Sequence, residues 1–223
     1  MGARGDAGGD AGYCSGRFRT ARAMSKRYDQ RYFDTWYRRR GIGGAQRLAR
    51  KVALAVATAE YHLERPLRTV LDIGCGEGAW RAPLLRLRPR AQYLGFDSSE
   101  YAIARHGARR NLHRARFSDF ATLRPCPPVD LLVCSDVMHY LPLKELDRGL
   151  TGLGELCGGV AFLECFTRED HTVGDDVDFQ PRPARFYRRR FEALGLRQLG
   201  SHCWLSPTLA GDVAALELPD RGR

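Results

Sequence analysis

The hydrophobic pattern of the 223-residue chain divides it into an N-terminal helical part and a longer alternating part. Residues 25–40 and 44–64 have helical periodicity, and Pro66 ends the second predicted helix. Beyond it, apolar runs predict strands and amphipathic stretches predict helices between them. The predicted strands are 69–73, 92–96, 114–117, 129–134 and 158–163, and the predicted helices are 79–87, 98–108 and 142–156. This alternation favours right-handed crossovers and an α/β fold with a mostly parallel sheet covered on both faces.

The last third of the chain has a different pattern. Residues 165–181 are polar and acidic and predict a loop, and residues 183–194 predict a helix that stops at Gly195. The segments 196–204 and 212–218 predict two closing strands. A short connection containing proline joins them, so we expect an antiparallel hairpin at the sheet edge.

Composition separates three segments. Residues 1–24 are rich in Gly, Ala and Arg and predict a disordered tail, residues 25–65 predict a helical lid, and residues 66–223 predict the ligand-binding domain. The tail lacks the apolar core of a secretory signal, and Met24 is a second candidate start. No run approaches the roughly 18 apolar residues of a membrane span. We therefore expect a cytoplasmic protein with no membrane association.

The cysteine content and the net charge bear on two classes of function, metal binding and nucleic-acid binding. The seven cysteines form no C-x-x-C pair, which is typical of free thiols in a reducing compartment and argues against a metal site. The net charge of +10 favours nucleic-acid binding. However, only Lys26, Lys51 and Lys144 among the 36 basic residues are lysines. That skew fits a GC-rich coding bias, so the charge alone is weak support for RNA binding.

A glycine-rich turn follows the first predicted strand in residues 69–80, TVLDIGCGEGAW. Gly74, Gly76 and Gly78 lack a Cβ, so the backbone can adopt positive φ and approach a ligand closely. The N–H groups of the following helix are also free to bind a ligand at this carboxyl end of the sheet. The alternative is an ordinary tight bend between strand and helix.

Asp72 helps to identify the ligand. Residues 74–79 also match the dinucleotide pattern G-x-G-x-x-G/A, which alone is weak evidence. An acid two residues before Gly74 would repel a pyrophosphate and attract a cation. S-adenosyl-L-methionine carries a sulfonium and an ammonium, so it suits an acid at this position.

Two further acids end the next predicted strands. Asp97 follows Gly74 by 23 residues, where a carboxylate can accept both ribose hydroxyls, although this spacing serves NAD equally. Its alternative role is the N-cap of the next helix. Asp119 is placed to accept from an adenine amino group, and its alternative role is to cap a short turn.

Four motifs in this order resemble the class I S-adenosylmethionine-dependent methyltransferases: VLDIGCGEG, YLGFDSS, RFSDF and DLLVCSDVMHYL, within residues 66–205. The resemblance implies a three-layer sandwich with sheet order 3-2-1-4-5-7-6 and strand 7 antiparallel. It implies cofactor contacts from the methionine end to the adenine end at Asp72, Gly74, Cys75, Gly76, Gly78, Asp97, Asp119 and Phe120. We also count Ser98 and Ser135 among the cofactor-binding residues. The family methylates many acceptors, so the resemblance does not identify this one.

The end of the fourth strand and the N-terminal helix supply the remaining candidates. His139 and Tyr140 follow Ser135 and are the predicted acceptor-contacting, catalytic pair, although His139 is as readily explained by packing. Tyr28, Tyr32 and Trp36 are four apart on one helical face. These aromatic residues predict either a lid that contacts the cofactor's cation or simple helix packing.

Methyl transfer from a sulfonium is an in-line displacement that needs alignment and exclusion of water more than acid or base. Our leading hypothesis is transfer to an O or N nucleophile of a small molecule. A phenol or alcohol would need a base, for which His139 is the candidate, whereas a neutral amine or a thiolate would not. The alternatives are an RNA methyltransferase, favoured by the clusters Arg38–Arg40 and Arg188–Arg190, and a non-catalytic cofactor-binding protein.

Overall fold

The computed structural model describes residues 28–35, 44–170, 177–211 and 213–217, in which seven strands form one sheet. The strands are β1 (Thr69–Ile73), β2 (Gln92–Asp97), β3 (Leu112–Arg114), β4 (Val129–Ser135), β5 (Cys157–Glu164), β6 (Arg197–Gly200) and β7 (Cys203–Leu205). Their order across the sheet is β3-β2-β1-β4-β5-β7-β6. Strands β1 to β5 are parallel, and β7 is antiparallel to both of its neighbours. The predicted sheet order is therefore confirmed.

Helices cover both faces of the sheet. They are α1 (Gln30–Phe33), α2 (Ala45–Leu63), α3 (Arg81–Leu87), α4 (Glu100–Arg110), α5 (Leu143–Leu156) and α6 (Ala184–Ala193). Successive residues of β1 point to opposite faces, so Val70 packs with α2 and α3 while Leu71 packs with α5 and α6. No helix in the described part of the chain has both the length and the hydropathy to span a membrane.

The closing hairpin differs from its prediction. Strands β6 and β7 both lie inside or next to the single predicted strand 196–204, and the chain reverses between them at Ser201 and His202, where φ is +48° and +65°. Two successive positive φ values are typical of a tight two-residue hairpin turn. The second predicted strand, 212–218, contains one turn of 3₁₀ helix at Ala215–Glu217. The prediction was wrong because the Gly-Ser turn signal within 196–204 was taken as strand.

The third strand ends earlier than predicted. It covers Leu112–Arg114 instead of 114–117, and Phe117–Ala121 forms a 3₁₀ turn. Phe117 and Phe120, three residues apart, are both buried beneath α5. The burial of these two rings therefore favours a turn over further extended strand.

The N-terminal region is described only in part. Within the predicted helix 25–40, α1 begins after Asp29, whose carboxylate accepts a hydrogen bond from Tyr32 N at 3.0 Å. The predicted tail 1–24, Trp36 and Arg38–Arg40 lie outside the described residues.

Candidate cofactor-binding site

A cavity opens where β1, β2 and β4 end. Seven of the predicted site residues line it, namely Tyr28, Tyr32, Gly74, Gly76, Asp97, Ser98 and Ser135. Three residues that the sequence did not single out complete one end of it: Ala115, Phe117 and Glu145. The cavity therefore lies at the strand ends at which an open parallel sheet binds its ligands.

The glycine turn requires residues without a side chain. The φ angles of Gly74, Gly76 and Gly78 are +78°, +54° and +76°, a region that other residues rarely adopt. A Cβ on Gly74 would lie 2.2 Å from Val137 Cγ2. The N–H of Gly74 donates to Phe96 O at 2.7 Å and ties the bend to β2. The bend is therefore fixed in a conformation in which the backbone of Gly74 and Gly76 is exposed to the cavity.

Cys75 and Gly78 belong to the same turn but do not line the cavity. A Cβ on Gly78 would be 3.1 Å from Leu112 Cδ2, so this position packs against the end of the sheet. The Cys75 thiol is buried, and burial together with the charges of Asp72 and Asp97 raises its pKa far above the ordinary value. Cys75 therefore acts as a small apolar residue under the turn.

Asp97 connects the glycine turn to α4. Its Oδ2 accepts from Gly76 N at 2.8 Å, and its Oδ1 accepts from Ser99 N at 2.8 Å. The N-cap of α4 is Ser99, whose Oγ accepts from Ala102 N at 3.1 Å, so the capping role considered for Asp97 belongs to Ser99. Burial raises the pKa of Asp97, and the backbone hydrogen bonds oppose that rise. Each carboxylate oxygen retains a lone pair that can accept from a ligand.

Asp72 lies behind the turn instead of in the cavity wall. It is 1% exposed, and the Tyr93 hydroxyl donates to its Oδ2 at 2.5 Å. Burial raises the pKa of Asp72 to about 7, against the effect of the Tyr93 hydrogen bond and with a further contribution from Asp97. Asp72 can therefore act on a ligand as a nearby charge without direct contact.

Asp119 and Phe120 do not line the cavity. The exposed Asp119 caps its own 3₁₀ turn by accepting from Arg116 N at 2.8 Å, which is the alternative role considered for it. Phe120 is fully buried and packs edge-on against Phe96 with ring centroids 5.5 Å apart. Phe117, one turn earlier, faces the cavity instead.

His139 and Tyr140 also lie away from the cavity wall. His139 is fully buried, and its Nδ1 accepts from Phe166 N at 3.2 Å. A neutral imidazole has one acceptor nitrogen, so Nε2 carries the proton; it lies 3.2 Å from Asp136 Oδ1 without the alignment of a hydrogen bond. The His139 ring packs against Tyr140 and Phe166 at 4.2 and 5.3 Å between centroids. The packing interpretation describes this geometry, and catalytic roles for the pair stay predictions.

The N-terminal segment forms one wall of the cavity. Tyr28, Tyr32 and Phe33 line it, and the two tyrosine rings pack edge to face at 5.1 Å. Ser99 Oγ donates to Tyr28 O at 2.5 Å, and the Phe33 ring stacks on Tyr101 at 5.9 Å. This segment is therefore docked on the start of α4.

The other part of the predicted lid, α2, lies on a face of the sheet. Val52, Ala55, Val56 and Ala59 of α2 are buried in the same core cluster as Val160 of β5. A lid role consequently rests on residues 28–35. Within the described residues, no group of three or more His, Cys, Asp or Glu side chains is arranged to hold a metal ion.

Comparisons with known proteins agree with the fold. A family model described as a methyltransferase domain matches residues 71–160. The trans-aconitate 2-methyltransferase of Methylobacterium nodulans is 41% identical over 99 residues, or 41% of this chain. That of Azoarcus sp. is 29% identical over 157 residues, or 67% of this chain. The matches span 37% and 58% of those relatives' own lengths.

A solved structure has a similar fold over nearly the whole chain. The sugar N-methyltransferase KedS8 from Streptoalloteichus sp. superposes with a TM-score of 0.60 and 15% identity, covering 92% of this chain and 99% of KedS8. Residues 71–160 therefore resemble a methyltransferase domain, and the chain has the fold of S-adenosylmethionine-dependent methyltransferases of known structure.

Proposed function

We propose that the chain binds S-adenosyl-L-methionine in the described cavity and transfers its methyl group to a small-molecule acceptor. The observation that carries the proposal is the meeting of three features at the ends of adjacent strands. These are the open glycine backbone after β1, the Asp97 carboxylate after β2 and the Ser135 hydroxyl at the end of β4. Together they suit a ligand with a ribose and a cationic end.

The sheet order supports one direction for the cofactor. Neighbouring strands are about 4.8 Å apart, so β3 to β4 spans roughly 14 Å across the cavity. We assign the ribose to Asp97 on β2, and the methionine end to Gly74 and Ser135 on β1 and β4. The adenine then lies beside Ala115 and Phe117, just after β3.

At the adenine end we assign the amino group to Glu145 instead of Asp119. Glu145, in the first turn of α5, lines the cavity with Phe117 and Leu141. Asp119 is exposed and already accepts from its own turn. An ionised carboxylate accepts a hydrogen bond from the amino group of adenine. It would not pair with hypoxanthine, a base that has a carbonyl oxygen in place of this amino group.

At the methionine end, charge and aromatic rings favour a cation. Asp72 lies under the turn, and Tyr28 and Tyr32 line the cavity. Aromatic faces attract cations, and the aromatic wall also excludes water. When bound, the cofactor would supply a methyl group on a sulfonium, and Tyr28 and Tyr32 would hold its cationic end.

For the acceptor we propose a small carboxylic acid. The curated relatives are named for trans-aconitate, a tricarboxylic acid. A carboxylate is already ionised at neutral pH and needs no general base. This agrees with the engaged acceptor nitrogen of His139, which an alcohol or phenol acceptor would have to free.

The test combines binding and transfer. Calorimetry of the purified chain should show binding of S-adenosylmethionine and S-adenosylhomocysteine but not of NAD or FAD. Labelled cofactor should methylate trans-aconitate or another small carboxylic acid in a panel that includes amines, phenols and total RNA. Uptake of NAD without S-adenosylmethionine would refute the proposal. Binding without transfer would favour a non-catalytic protein, and labelled RNA would favour an RNA methyltransferase.

We also propose a cytoplasmic location. The six cysteines within the described residues, Cys75, Cys126, Cys134, Cys157, Cys165 and Cys203, are all unpaired. Free thiols are typical of reducing compartments. Cell fractionation that places the chain in an oxidising compartment would contradict this location.

A further inference from the structure

A partly buried ion pair, with the Lys51 side chain 24% exposed, lies directly behind the cavity wall. Lys51 of α2 places its Nζ 2.8 and 2.6 Å from the two carboxylate oxygens of Glu164, the last residue of β5. Glu164 is 5% exposed and lies opposite Ser135 in the β4–β5 pairing. Replacing a buried ion pair by apolar residues is often neutral or stabilising. Stability alone is therefore a weak explanation for this pair.

The surroundings of Glu164 keep its carboxylate ionised. Burial disfavours the charged form, but Lys51, the Ser135 hydroxyl and the nearby His202 hold the pKa of Glu164 below its ordinary value. An ionised carboxylate can only accept hydrogen bonds. The contact between Ser135 and Glu164 therefore has one direction: Ser135 Oγ donates its proton to Glu164 Oε2.

The direction of this bond determines what Ser135 can offer to a ligand. A serine hydroxyl has a single proton, and Glu164 holds it. Ser135 lines the cavity, so its oxygen presents only lone pairs there. The matching ligand group is a hydrogen-bond donor. At the methionine end of S-adenosylmethionine that donor is the ammonium, because the carboxylate only accepts and the sulfonium has no N–H or O–H.

We propose that Lys51 and Glu164 are positioning residues that make Ser135 an obligate acceptor for the ammonium group of the cofactor. This inference rests on the proposed function and adds two residues that do not touch the cofactor. In a Glu164→Gln variant, Lys51 would hold the amide oxygen and leave the amide N–H₂ facing Ser135. Ser135 Oγ would then accept from this amide, and its own proton would point into the cavity. There it would face the ammonium, so that two hydrogen-bond donors would meet.

The experiment measures the contribution of the ammonium group to binding separately from that of the rest of the cofactor. Calorimetry compares S-adenosylhomocysteine with its analogue that lacks only the amino group, S-adenosyl-4-thiobutyrate. We expect Ser135→Ala and Glu164→Gln each to weaken S-adenosylhomocysteine binding about tenfold, the scale of one hydrogen bond to a charged group. Binding of the analogue should change less than twofold. Lys51→Arg preserves the charge and should keep the wild-type ratio of the two affinities.

Asp130→Asn is a matched control for the loss of a buried carboxylate. Asp130 is the second residue of β4, at the opposite end of the strand from Ser135, and its carboxylate accepts from Arg65 at 2.9 and 2.7 Å. This variant should lower stability while leaving the affinity ratio unchanged.

Three outcomes decide the inference. Equal losses for both ligands in Ser135→Ala and Glu164→Gln, or no loss for either, would overturn it. If Glu164→Gln does not fold, Lys51→Met takes its place and should cause the same selective loss, because it removes the cation that keeps Glu164 ionised from a partly exposed position. A wild-type chain that binds neither ligand would refute the proposed function itself, and this inference with it.

Discussion

Asp72 is a single buried carboxylate whose ionisation lowers the stability of the fold and favours binding of a cationic ligand. Its pKa of about 7 lies above the ordinary value of 3.8 because burial penalises the charge. The folded protein therefore takes up a proton that the unfolded chain releases, and the contribution of Asp72 to stability is lost as the pH rises from about 4 through 7. Above pH 7 the same charge is available to attract a cationic ligand.

The Asp72→Asn variant tests these opposite effects of the charge on stability and on ligand affinity. Asparagine keeps an oxygen for the Tyr93 hydroxyl and removes the buried charge. We expect the thermal midpoint to rise by a few °C relative to wild type at pH 8 and to change little at pH 4. Binding of S-adenosylhomocysteine at pH 8 should weaken, because the buried negative charge that attracts its ammonium group is lost. A variant that is less stable than wild type at pH 8 would contradict the assignment.

Glu145 and Asp119 allow a second comparison at the residue scale. Glu145→Gln should weaken S-adenosylhomocysteine binding by about five- to tenfold, because one good acceptor for the adenine amino group is lost. Asp119→Asn, which alters a carboxylate that caps its own turn, should change the affinity by less than twofold. Calorimetry at pH 7.5 measures both. The reverse order of effects would restore the adenine role to Asp119.

At the scale of single elements, the bend after β1 is held by its contact with the loop after β4. Gly74 lies against Val137, and Asp97 at the end of β2 binds the same bend through Gly76 N. The shape of the cavity therefore depends on three strand ends at once.

The Gly74→Ala variant should be destabilised by about 2–4 kcal/mol. Overpacking against Val137 contributes about 1–3 kcal/mol and a left-handed alanine about 1 kcal/mol. Adding Val137→Ala should restore part of the loss by removing the clash while leaving the backbone strain. Gly211→Ala is the control, since a Cβ there meets nothing within 4 Å. Urea unfolding measures all four chains, and equal stability of Gly74→Ala and Gly211→Ala would contradict the argument.

Sequence patterns predicted most of the elements and about half of the cavity. Five strands and the helices between them follow from apolar periodicity, and Gly74, Asp97 and Ser135 follow from the rule that parallel strands place ligands at their carboxyl ends. The short hairpin at 197–205 was missed because its strands have only four and three residues. Glu145 was missed because tertiary packing of α5 brings it to Phe117, and no local pattern marks a residue 28 positions away.

For the whole molecule, the main physical feature is its positive charge. A net charge of +10 on 223 residues will attract any polyanion, whether or not the candidate site binds one. Specific cofactor binding and general electrostatic attraction should therefore respond differently to salt.

Salt distinguishes these two effects. We expect retention of RNA by the chain to fall steeply between 50 and 300 mM NaCl, because release of counterions drives such binding. S-adenosylhomocysteine carries little net charge, and its affinity should change less than threefold over the same range. Filter binding and calorimetry supply the two measurements. RNA binding that persists at 300 mM would favour the RNA methyltransferase alternative.

The burial of the cysteines has a practical consequence. Burial raises the pKa of all six thiols within the described residues, so at neutral pH they are protonated and poor nucleophiles. An alkylating reagent can modify Cys134, in the central strand β4, or the buried Cys157, at the start of β5, only when the fold opens. The rate of alkylation of these cysteines, followed by mass spectrometry, would therefore report the rate at which the fold opens without any introduced label.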